Sequence, residues 1–222
     1  KRRFDINYSQ SQRAAAKIAA PRIKEFTMKE NINVSVPRPE FPDPQLRREN
    51  WLNLNGEWEF EIDLTGERNS YSERTFQTEH FSKKIIVPFA PESDLSGIGY
   101  KGFMDAVLYR RDLKFPKSFD GKRKILHFGA VDHKATVYVN GKLVGTHVGG
   151  YWPFSFDITD YLVGEDDYVT VLAEDDIRNA KYAAGKQAAS TNSRGCHYTR
   201  TTGIWQTVWV EAVEPQHIDF FR

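Results

Sequence analysis

From Trp51 onward, apolar and polar positions alternate with a period of two. Trp58, Phe60 and Ile62 are interleaved with Glu57, Glu59, Glu61 and Asp63, the pattern of a strand with one buried and one wetted face. Asn55-Gly56 marks a turn before it. Ala135, Val137 and Val139 alternate with Thr136, Tyr138 and Asn140, and Asn140-Gly141 separates that run from Lys142 to His147. This is the two-residue signal of a hairpin whose turn needs positive φ. Further strands are predicted over 84–87, 107–114, 124–128, 168–173, 206–212 and 217–221. Short strands punctuated by Gly, Pro, Asn and Asp, with no long helical period, predict an all-β antiparallel sandwich of the jelly-roll kind. The gaps hold no amphipathic helices, which argues against a parallel α/β fold.

Charge divides the chain where periodicity does not. Residues 1–30 carry eight Lys or Arg against three Asp or Glu, a net +5 that leaves the rest at −4. Within them, 9–20 is rich in helix formers that Ser9 or Ser11 can cap, and Pro21 interrupts the run. Residues 1–36 are therefore read as an N-terminal arm with at most one short helix. It is either frayed or packed on the surface, with a targeting peptide or basic interaction arm as alternatives. Pro37, Pro39, Pro42 and Pro44 form an extended lead-in to a domain spanning 37–222.

Composition excludes several functions. Lys plus Arg number 31 and Asp plus Glu 30, so no global field gathers nucleic acid or anionic membrane. The single cysteine, Cys196, can form neither an internal disulfide nor a thiolate zinc site. Apolar runs such as Ile85-Ile86-Val87 are too short to span a bilayer. With no secretory segment in the sequence, the expected location is cytoplasmic, or secreted or periplasmic if a leader has been removed. There is no phosphate loop, paired-histidine helix or nucleophile elbow, so no cofactor or metal is expected. His127 and His133, the only close pair, straddle a strand end and read as structural.

One gap is long. Residues 175–203 separate two predicted strands and contain Asp175, Asp176, Arg178, Lys181, Lys186, Gln187, Arg194, His197, Tyr198 and Arg200. Loops of this length in compact folds are functional or disordered, and this dense set of hydrogen-bonding groups can hold a polyol. Tyr100, Tyr151, Trp152, Tyr198, Trp205 and Trp209 lie in or beside loops, where flat rings pack on pyranose C–H faces. Trp58 and at least one of Trp205 and Trp209 read instead as core. Carboxylates are plentiful, but sequence cannot pair two of them across a glycosidic bond.

Ordered blocks then become specific. Pro37-Arg38-Pro39-Glu40-Phe41 precedes Trp51 to Phe60, Val87-Pro88-Phe89-Ala90-Pro91-Glu92-Ser93, and Tyr109-Arg110-Arg111. These are followed by Val137 to Gly145, His147 to Phe154, Phe156-Asp157-Ile158-Thr159, and Tyr198 to Trp209. Together they resemble the N-terminal sugar-binding domain of glycoside hydrolase family 2, the β-galactosidases, β-glucuronidases and β-mannosidases, over residues 37–214. The resemblance implies a retaining multidomain β-glycosidase whose catalytic Glu pair lies on a barrel outside this chain, beyond an immunoglobulin-like domain. It implies no catalytic residue here, and the fragment is expected to be inactive alone. Its implied partners are a β-glycoside and those two domains, with homo-oligomerisation left open. The family's substrate-facing acid corresponds to Asp176 or Asp175. Gly185-Lys186-Gln187 resembles a glycine-lysine-glutamine turn seen in many members, although Ala183-Ala184 replace the usual preceding arginine and proline. Tyr100 completes the expected substrate-binding set. A stand-alone lectin and a purely structural support domain are the competing readings.

Overall fold

A computed structural model describes residues 36–63, 81–178 and 182–219. The helix expected at 9–20 lies outside them. Twelve strands are described: β1 (Trp51–Asn53), β2 (Gly56–Asp63), β3 (Lys83–Val87), β4 (Ala106–Asp112), β5 (Arg123–Phe128), β6 (Val131–Asp132), β7 (Lys134–Val139), β8 (Lys142–Val148), β9 (Phe154–Asp157), β10 (Tyr168–Glu174), β11 (Gly203–Ile204) and β12 (Val208–Val213). Every pairing between these strands is antiparallel. One sheet runs β1-β12-β5-β9, a second β3-β2-β4-β10-β7-β8, and β6 pairs with β11 in a two-stranded ribbon.

One face of the alternation read from the sequence forms the main core, and on β4, β7 and β10 the other face is covered too, by Ala106, Leu108, Tyr138 and Leu172. Trp58 and Phe60 of β2, Val107 and Tyr109 of β4, Val137 and Val139 of β7, and Val169 and Val171 of β10 point inward from the six-stranded sheet. Leu126 and Phe128 of β5 with Val208 and Val210 of β12 meet them from the four-stranded sheet. Because successive side chains of a strand take opposite faces, inward Val208 and Val210 send Trp209 outward. Trp209 is nevertheless buried, because the proline-rich lead-in lays Phe41 across it (6.5 Å between rings) and His127 stacks on it at 4.8 Å. The lead-in is also hydrogen-bonded: the carbonyls of Pro37 and Arg38 accept from the Asn55 and Asn53 amides at 3.0 and 2.9 Å.

One predicted strand fails. His217 to Asp219 is not strand, and 220–222 lie outside the described residues. Pro215 supplies no N–H to continue a ladder beyond Val213. The segment is instead held by a side chain, Arg48 Nη2 donating to the Ile218 carbonyl at 2.6 Å.

Candidate functional site

The long gap begins where β10 stops. Asp175 follows Glu174, and its amide donates to the Asp105 carbonyl at 3.0 Å. The residue is 4 % exposed, and its Oδ2 has no hydrogen-bond partner among the described residues. Two other segments bring acids to it. Glu92, on the turn after β3, accepts the Thr202 amide at 3.2 Å. Asp132 on β6 accepts Gln187 Nε2 at 2.8 Å. Asp132 fits only because residue 150 is glycine, since a Cβ there would overlap its carboxylate.

Burial first, then the neighbouring charges of Asp132, Glu92 and Asp176, push the Asp175 carboxyl up to about 7, against the opposing pull of Arg200. Burial likewise raises Glu92 and Asp132 above the ordinary carboxylate range. Desolvation dominates because ionised carboxylates lose hydration that too few donors replace.

The five predicted contact residues converge only in part. Asp175 is buried rather than at a wet mouth, with Arg200 of the 182–202 segment near enough to oppose its charge. Asp176 is half-buried, with Oδ1 3.5 Å from Arg178 Nε, and Arg178 also pairs with Asp105 at 2.8 Å. Lys186 is exposed, its carbonyl accepting the Tyr198 amide at 2.8 Å. Gln187 is a tie: its amide nitrogen serves Asp132 and its oxygen accepts the Thr201 amide at 2.8 Å. Tyr100 is partly exposed and rests its ring against Gly102. Tyr151 and Tyr198 are exposed; the Tyr151 hydroxyl abuts Gly185, and the Tyr198 backbone pairs with the Gly185-Lys186-Gln187 turn.

Glu92, Asp132 and Thr202 were absent from the predicted set, as was the central part played by Arg200. Glu92, Arg200 and Thr202 fall within the ordered blocks quoted above, which was their only signal. Asp132 had none, since it looks like any polar residue at a strand end. His127 and His133 form no joint site: the first is 3.2 Å from Glu211 on the four-stranded sheet, and the second stacks on Tyr182 beside Asp132.

A jelly-roll sandwich whose long loop sets exposed rings, an amine and a half-covered carboxylate beside a buried acid cluster has the make-up of a carbohydrate-binding module. The family model for the glycosyl hydrolases family 2 sugar binding domain matches residues 51–209, and the chain belongs to that family. It is 34 % identical over 110 residues to a β-galactosidase of Thermoanaerobacter pseudethanolicus, covering 50 % of this chain and 14 % of that protein. It is 32 % identical over 135 residues to a β-glucuronidase of Paenibacillus borealis, covering 60 % and 22 %. The crystal structure of a Bacteroides uniformis β-glucuronidase superposes with TM-score 0.54 at 27 % identity, over 78 % of this chain and 19 % of that one. The chain thus spans less than a quarter of these three relatives.

Proposed function

We propose that this chain is the non-catalytic sugar-binding domain of a retaining β-glycosidase and that its 175–203 loop borders the substrate. The folded domain begins at Pro37 in this reading, because the carbonyls of Pro37 and Arg38 hold Asn55 and Asn53. The observation that carries the proposal is the layered build of one end of the sandwich. Asp175, Asp132 and Glu92 form a covered floor, each 4 % exposed or less, while Lys186, Tyr198, Tyr151 and Tyr100 are exposed to water and Asp176, next to Asp175, is half-buried. The floor cannot be a hydrolytic centre, because no sugar ring fits between carboxylates so completely enclosed. The surface layer is of the right chemistry: rings for C–H faces, an amine and a carboxylate for hydroxyls.

The test is titration of the isotope-labelled chain with methyl β-D-glucuronide and methyl β-D-galactoside, followed by backbone NMR. Shifts confined to 98–103, 150–152, 176–178 and 182–202 support the proposal. Saturable shifts elsewhere favour a lectin site of different design, and no shift with either glycoside favours a support domain.

A further inference from the structure

Arg200 is as buried as the acids around it, at 3 % exposed, yet it makes no ion pair with any of them among the described residues. Its Nη donors go to backbone carbonyls, while the buried Nε has no hydrogen-bond partner among the described residues. Nη1 bonds those of Ser190 at 2.6 Å and Ala188 at 3.4 Å, and Nη2 bonds those of Gly102 at 3.1 Å and Lys101. Its guanidinium plane lies 4.4 Å from the Phe103 ring, which Arg178 also contacts at 4.8 Å. A planar fork suits this task, and an ammonium cannot reproduce it. The groups facing Asp175 are Glu92 from the turn after β3, Asp132 from β6 and Asp176 beside it, with His133 next to Asp132. Asp105 and Arg178 lie next to these. Their balance is negative, and Arg200 is the charge that opposes it.

We infer that Arg200 is a positioning residue of this site: it clamps the 101–103 and 188–190 backbones over the acid cluster and supplies the balancing charge without capping any carboxylate. Asp175 therefore keeps an oxygen uncommitted. A direct Arg200–Asp175 salt bridge would consume that lone pair and pin the acid in its ionised form. Here the cation acts through space. The inference deepens the sugar-facing reading of the loop, but its test does not depend on that reading.

The test is a carboxyl-¹³C NMR titration of the chain, reading Asp175 against the remote Asp157. Arg200→Gln is expected to raise the Asp175 midpoint by about one pH unit or more while Asp157 stays put, because an opposing charge has gone. Arg200→Lys is expected to keep the Asp175 midpoint near that of the wild type and to speed amide exchange at 101–103 and 188–190, because one ammonium replaces a four-carbonyl clamp. An unmoved Asp175 in a folded Arg200→Gln chain overturns the inference. If that variant does not fold, Arg200→Lys decides: a preserved midpoint with a loosened loop supports it, while a shifted midpoint or an unfolded chain overturns it. The glycoside titration above is separate. Its failure removes the sugar reading and leaves the Arg200 result standing.

Discussion

At Asp175 the folded chain binds a proton that the unfolded chain releases near pH 4, because burial and three neighbouring acids carry the carboxyl from 3.8 to about 7. The folded pKa is raised, so the stability this group contributes is fully present below about pH 4 and is lost as pH rises toward 7. Asp175→Asn fixes the neutral form and should cancel that loss. Thermal melts should show the variant gaining Tm over the wild type at pH 8 and gaining less, or nothing, at pH 5. The reverse order would mean that Asp175 is ionised and stabilising in the native state. Sequence placed this acid at a strand end but missed its burial, because the groups that surround it, Glu92, Asp132 and Arg200, come from segments that show no periodicity linking them to it. Arg200 was likewise visible as a residue and invisible as a clamp, since the carbonyls it bonds carry no side-chain signature.

Among the elements, the β7–β8 hairpin was the most legible, and its turn proves to do two jobs. Asn140 and Gly141 have φ of 52° and 74°, the left-handed pair such a turn requires. Asn140 also reaches beyond its hairpin, bonding the Tyr161 carbonyl at 2.9 Å and Asp167 Oδ1 at 2.6 Å and accepting the Tyr168 amide at 3.1 Å. With each such bond worth about 1 kcal/mol net, Asn140→Ala should cost about 2–3 kcal/mol in urea unfolding. Gly141→Ala should cost about 1–2 kcal/mol through its backbone alone. Equal costs would mean that the Asn140 side chain ties nothing. β2, with one partly wetted face, was readable by its alternation, and β7 showed the same alternation although Thr136 and Tyr138 are covered as well. The ribbon strands β6 and β11 were not readable, because two residues buried on both sides leave no alternation to detect. Nor could period alone show that the outward Trp209 is covered, because its cover comes from Phe41, whose ring is also 4.9 Å from that of Trp51. Phe41→Ala should red-shift tryptophan emission and lower stability by about 1–2 kcal/mol. An unshifted spectrum would mean that Phe41 does not shield those indoles.

At the scale of the whole molecule, the domain's family membership, its sandwich and its layered loop end point the same way. The ordered blocks made the family legible in the sequence, because turn residues and core alternation recur in fixed order. The site was legible only in outline, because its floor is assembled from three distant segments. The chain alone should hydrolyse no aryl β-glycoside above background, and turnover that tracks its own concentration through purification would place a catalytic pair on it. The most direct measurement is made in the longer β-glycosidase that this domain is proposed to serve, comparing kcat/KM for wild type, Asp176→Asn and Asp175→Asn. Loss of a charged hydrogen bond to the sugar should lower kcat/KM for Asp176→Asn by roughly 10–100-fold, equivalent to about 1.5–3 kcal/mol, with the fold intact. Unchanged kinetics in both variants would contradict the account, because the loop would then not reach the substrate.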